Sequence, residues 1–231
     1  MKADSYFFVG SPIVAIGSSL PDTKFSQYIC FEQDKSRSLA LEKRAEIASK
    51  YFETSKPVVL NQDCNEGMDQ VLREYCNSRK SCFLAFVDPQ GVSDLKWCTL
   101  EKLLKRSKGD LILNFPTSGI IRNLTNPECA DVLTGFFGDD TWHGLKNTDG
   151  VLQYFMNKIS LISVEGRTRT VDYLPVFDEY NHRLYDLIFA TGSAGMKNAL
   201  DDLKNRLAKI KTRDFREIHS YRRPAEATYG L

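Results

Sequence analysis

Short runs of apolar residues alternate along this chain with longer stretches in which apolar positions recur every three or four residues. The runs are YICFEQD (28–34), PVVLNQD (57–63), CFLAFVD (82–88) and DLILNFP (110–116), each rich in β-branched, aromatic or leucine side chains. Between and after them, SLALEKRAEIASKYF (38–52), GMDQVLREYCNS (67–78) and LKWCTLEKLLKRS (95–107) carry the helical period. Strand and helix in alternation predict βαβ units and a parallel sheet. Nearly continuous apolar strands agree, because parallel strands are covered on both faces. The ending breaks the rhythm. TVDYLPVF (170–177) and RLYDLIFAT (183–191) are separated only by DEYNH, which predicts an antiparallel hairpin, and AGMKNALDDLKNRLAKIK predicts a long closing helix. The expected architecture is α/β: a doubly wound, mostly parallel sheet ending in an antiparallel β-hairpin. One domain is expected over 1–212, followed by a basic tail at 213–231.

Each parallel run ends in a polar side chain: Glu32 and Asp34, then Asp63, then Asp88, then Asn114. In open α/β sheets, ligands bind beyond the carboxyl ends of the strands, so these residues are expected to gather at a ligand site. The same residue types cap helices and open turns, and that is the competing role at each position. An acid after the second strand of such a sheet suits the two hydroxyls of a ribose, with Glu32 ahead of Asp34. Asp63 suits an exocyclic amine, and Asp88 lies where the reacting end of a cofactor would face. Pro89 stiffens the turn after Asp88, and Gly91 allows a ligand close to the backbone. A tight strand-to-helix turn is the structural alternative for the same DPQG. Arg122, in GIIRN, offers a planar fork for a carboxylate or phosphate; a solvated loop arginine is the alternative. His143 in DDTWHG is a candidate general base with no visible partner, and Trp97 reads as packing.

Composition narrows the class. The 231 residues suit one large α/β domain, and 42% hydrophobic with 26% charged residues allows a real core. Net charge is +1, which removes any global attraction to nucleic acid or membrane. No apolar run approaches the roughly 20 residues that span a bilayer, and the first residues are too short an apolar segment for a secretory signal. The six cysteines are scattered, without ligand-like spacing, so reduced thiols in apolar surroundings, no metal site and a cytoplasmic location are expected. Basic residues crowd 204–223, where a nucleic-acid backbone or an acidic partner is an option beside a solvated helix face.

An ordered set of motifs carries a resemblance. GSPIVAIG (10–17), YICFEQD, NQDCNEGMDQVL (61–72), FVDPQGVSDLKW (86–97), DLILNFPTSGIIRN (110–123), FFGDDTW (136–142) and LYDLIFAT (184–191) together resemble the three-Cys-motif partner proteins. The resemblance implies a Rossmann-like sheet of the class I methyltransferase type and S-adenosylmethionine as cofactor. It also implies a neighbouring iron–sulfur protein with three cysteines as partner, often encoded in mobile elements. It assigns Gly10, Glu32, Asp34 and Asp63 to the cofactor, Asp88 and Pro89 to the chemistry, and Asn114 and Arg122 to the substrate. The methyl acceptor is left open, as is a non-catalytic role as binding partner of the iron–sulfur protein. Three departures are visible. Only MKADSYFFV precedes GSP, so the first strand and Gly-rich loop are expected to be missing or abbreviated to Tyr6–Val9 with Gly10. Gln90 stands where an aromatic is more usual. The chain has no cysteine triad, which assigns iron–sulfur chemistry to the partner.

Overall fold

The computed structural model describes residues 11–18, 25–76, 81–178 and 180–210. Gly10, Tyr6–Val9 and the tail at 213–231 lie outside the described residues. The chain is a mixed α/β protein, and it divides into two compact units, Met1–Tyr75 and Cys76–Leu231. The one-domain expectation covered both.

In the first unit, α1 (Ser11–Gly17) and α2 (Lys35–Tyr51) accompany a two-stranded parallel sheet of β1 (Ile29–Phe31) and β2 (Val58–Leu60), followed by α3 (Cys64–Tyr75). The register is Ile29↔Val58, Cys30↔Val59 and Phe31↔Leu60. A small core forms from Ile16 of α1, Tyr28, and Ala45 and Ala48 of α2, with Ile13 against it. Alanines on this face of α2 let a neighbour come close. The helix starts where Asp34 accepts from the Arg37 amide at 2.7 Å, which satisfies one of its otherwise orphaned donors.

The second unit holds a four-stranded sheet in the order β3-β4-β6-β5, from β3 (Phe83–Val87), β4 (Gly109–Phe115), β5 (Thr170–Phe177) and β6 (Arg183–Thr191). β3 and β4 are parallel; β6 runs antiparallel to both β4 and β5. Chemistry explains why β6 is inside and β5 outside. Pro175 has no amide hydrogen to give a second neighbour, which suits an edge strand. β6, by contrast, ends in the buried run Ile188–Thr191, as a strand covered on both faces should. The hairpin turn is held by Asp178, whose carboxylate accepts from the amides of Tyr180 and His182 at 2.9 and 2.7 Å. Asn181 there takes a left-handed φ of 63°, a conformation asparagine tolerates well.

Helices α4 (Trp97–Leu104), α5 (Thr117–Asn123), α6 (Ala130–Phe137), α7 (Thr148–Ser160) and α8 (Ala194–Ile210) complete this unit. β4 alternates strictly between buried and half-buried positions, sending Leu111, Leu113 and Phe115 into the core. Phe115, Phe136 and Phe155 interlock there with ring centroids 4.8–5.8 Å apart. Trp97 is 8% exposed and meets Phe155 edge-to-face at 5.5 Å, so it packs. Gly138 ends α6 with φ 76°, and a Cβ at that position would lie 2.5 Å from the Trp97 ring. Backbone conformation and close approach both demand glycine there.

The helices at 117–123, 130–137 and 148–160 were not among the elements expected from periodicity. All six cysteines are thiols; none is fully buried, and Cys82 and Cys98 are exposed, so the apolar surroundings expected for them are only partial. Among the described residues no helix is long and apolar enough to cross a membrane.

Candidate functional site

In the first unit the strand-end acids are engaged in local structure. Glu32 accepts from the Asp34 amide at 3.0 Å and lies 3.7 Å from the Arg37 guanidinium. Asp34 caps α2. Asp63 accepts from the backbone and side-chain nitrogens of Asn65 at 2.8 and 2.9 Å, and its carbonyl receives the amides of Glu66 and Gly67. That is the turn that starts α3. Asn61 ties the two strand ends together by donating to the carbonyls of Glu32 and Gln33 at 3.0 and 2.9 Å. Among the described residues, the contacts of Glu32 run to Oε1 and those of the Asp34 and Asp63 side chains to Oδ1. Within that set, each carboxylate keeps a second oxygen for a donor. Such oxygens can accept from hydroxyls or amines.

In the second unit, Asp88 and Asn114 stand at the carboxyl ends of adjacent parallel strands. The Asn114 Nδ2 donates to Asp88 Oδ1 at 2.7 Å. The bond orients the amide, since turning its oxygen toward a carboxylate would be repulsive. Its Oδ1 is then buried without a hydrogen-bond partner among the described residues. Asp88 is exposed and Pro89 half-buried. Gly91 has extended backbone, and its amide donates to Asp94 at 3.1 Å. DPQG thus carries the chain from β3 into a short 3-10 turn at Val92–Asp94, and it also leaves an anchored carboxylate at the strand tip.

Arg122 lies on α5, not in a loop. Its Nε donates to the Ser118 carbonyl at 3.2 Å, and it has no ion pair among the described residues. His143 stacks on Trp142 with centroids 3.8 Å apart. Among the described residues no group of three or more metal-ligating side chains comes together.

Three polar clusters escaped the sequence reading. Asp186, fully buried, receives two bonds from Arg183 Nε, a 2.6 Å bond from Arg183 Nη2, and the Thr117 hydroxyl. Arg169, 7% exposed, donates to the carbonyls of Leu104, Arg106 and Gly109. Lys158 of α7 pairs with Asp139 and donates to the Phe137 carbonyl, with its ammonium 4.5 Å from the Trp97 ring. The Tyr154 hydroxyl donates to the same Asp139 at 2.5 Å. In FFGDDTW the motif therefore forms a clasp between α6 and α7. Its signal was the acid beside a glycine, but the lysine that answers it lies 19 residues away.

Burial works to raise the Asp139 pKa. The Lys158 ammonium, the Tyr154 hydroxyl and the Thr141 amide outweigh it and hold the carboxyl well below the usual carboxylate range. A depressed folded-state pKa contributes stability above the unfolded value near 4 and loses it as pH falls further. The stability difference between the parent and Asp139→Asn is therefore expected to be largest at pH 6 and to shrink toward pH 3. Urea midpoints at intervals across that range test this; a constant difference would rule out the clasp as an acid-sensitive contact.

Comparison with family models, with curated proteins and with solved structures finds no match to this chain.

Proposed function

We propose that this chain is a methyltransferase-like protein that takes S-adenosylmethionine. The observation that carries the reading is the second unit's sheet, in which parallel β3 and β4 are completed by an antiparallel hairpin. Such an ending suits the class I methyltransferase variant of the doubly wound sheet, and that supports the reading. The anchored Asp88 supports it. With the Pro89 carbonyl, Asp88 offers acceptors to a substrate donor, and Asn114 holds it in one orientation. In the first unit the free carboxylate oxygens of Glu32 and Asp34 suit ribose hydroxyls, and that of Asp63 suits the adenine amine. The resemblance gives Gly10 to the methionine end, and the planar fork of Arg122 gives that residue to the substrate. S-adenosylmethionine, when bound, supplies the methyl group; the protein's part is to hold and align, which accounts for much of the acceleration in such transfers.

Isothermal titration of the full chain with S-adenosylmethionine and S-adenosylhomocysteine tests the reading. Both are expected to bind, and Glu32→Gln, which keeps an acceptor at Oε1 and removes the charge, is expected to weaken both by about tenfold. Absence of heat at millimolar ligand would end the enzyme reading.

A second reading has its own support. Leu84 and Phe86 occupy alternate positions of β3, one face of the strand, and are 36% and 48% exposed. Adjacent exposed apolar side chains on a sheet suit a protein partner, and the three-cysteine iron–sulfur protein is the one the resemblance names. In that case this chain binds without catalysing, and nucleic acid would be contacted through the basic tail.

A further inference from the structure

A hollow of about 500 Å³ opens in the second unit where the starts of α5, α7 and β6 meet. Its size lies within the range of small-molecule sites, roughly 300–1,000 Å³. We propose that it binds a ligand that joins an oxyanion to an apolar body. The hollow shares Arg122 with the substrate role proposed above and involves none of the residues assigned to the cofactor; its binding test is read without methyl transfer.

The donors decide the charge of the ligand. Among the described residues Arg122 has only its Nε engaged, so both terminal nitrogens of its fork are available to an oxyanion. Arg183 spends Nε and Nη2 on buried Asp186. Its Nη1 meets only Asp149, at a long 3.4 Å, and that carboxylate side chain is 90% exposed. A ligand oxygen can take that place. Thr148, the first residue of α7, adds a hydroxyl with no hydrogen bond among the described residues. The other hydroxyls are committed inward: Thr117 donates to Asp186 and Ser118 to the Leu184 carbonyl at 2.8 Å. They hold the wall in shape.

The charges reduce to a simple balance. Asp186 and Arg183 cancel one another, and His182 Nδ1 lies 3.0 Å from the Asp178 carboxylate. Among the described residues Arg122 has no counterion, and Asp149 is the competitor for Arg183. Ile121 and Leu184 line the same hollow and give an apolar body something to cover.

Phenyl phosphate is the probe, titrated calorimetrically into the full chain beside benzyl alcohol, which lacks the charge, and inorganic phosphate, which lacks the ring. Phenyl phosphate is expected to bind more tightly than either. Benzoate at higher affinity than phenyl phosphate would keep the site and assign it to carboxylates. Arg122→Gln should weaken binding about tenfold, the scale of a lost charge-assisted contact. Asp149→Asn should tighten it a few-fold by releasing Arg183 Nη1. Both positions are exposed, so unchanged urea midpoints are expected and would separate lost binding from lost folding. No binding by any oxyanion at millimolar concentration, equal binding of benzyl alcohol, or an Arg122→Gln affinity equal to the parent's would overturn the proposal.

Discussion

Asp186→Ala is expected to destabilise the protein by about 3–5 kcal/mol, the range for removing one partner of a buried ion pair. Asp186 is fully buried and accepts from Arg183 and from Thr117. Without it, the Arg183 guanidinium, 20% exposed, is left beside the core with only distant Asp149 to answer it. The Thr117 hydroxyl keeps a weak 3.3 Å contact to the Phe115 carbonyl. Urea unfolding should show the loss as a midpoint shift of 1 M or more, taking a slope of about 2 kcal/mol/M. Asp149→Ala is the contrast. It removes the other carboxylate near Arg183, but an exposed one, and should change the midpoint hardly at all. Replacing both members of the pair, as Arg183→Met with Asp186→Leu, should recover much of the loss, because it removes the stranded charge. A single variant as stable as the parent would show that Asp186 does not hold α5 to the hairpin.

Arg169→Met carries the second large effect, about 3 kcal/mol. The guanidinium is buried and spans three carbonyls at the end of α4 and the entry to β4. Burial pulls its pKa below the ordinary arginine value, and nearby Asp110 partly offsets that. A helix end leaves carbonyls without intrahelical partners, and each buried acceptor left unmet costs about 1–3 kcal/mol. Water reaches some of them once the side chain is gone, which keeps the total below a full threefold sum. Arg169→Lys should recover only part, since a point ammonium cannot reach three acceptors arranged for a planar fork. Thermal or urea midpoints of the three proteins give the order: parent, then lysine, then methionine. A lysine variant equal to the parent would mean that charge alone is needed.

Both effects concern residues that the sequence does not advertise. Arg169 sits in GRTRT, and its acceptors lie 60–65 residues upstream; no periodic pattern connects them. Asp186 falls within the apolar run of β6, where an acid reads as an interruption until Thr117 and Arg183 are seen around it. The strands were legible because four short apolar runs and a hairpin are hard to arrange otherwise; β3 falls inside the stretch read as a strand, and β4 begins one residue before its own. The helices at 117–123 and 130–137 were not, because seven or eight residues have too little length for a period to declare itself. Of the candidate site, Asp34 and Asp63 take the helix-starting role that was the stated alternative at each position. Asp88 was anticipated, but Asn114 as its anchor came from adjacency across two strands, which chain order alone cannot supply.

Placing β6 between β4 and β5 has a consequence for biosynthesis. β4 ends at Phe115, yet the neighbour that completes its pairing begins at Arg183. While the chain is being made, the outer edge of a finished β3–β4 pair must wait some 70 residues for its partner. Pairings of such separation form slowly and leave sticky edges exposed meanwhile. Nascent chains stalled before residue 183 should therefore engage chaperones or aggregate, whereas chains released after residue 191 should close the sheet and escape.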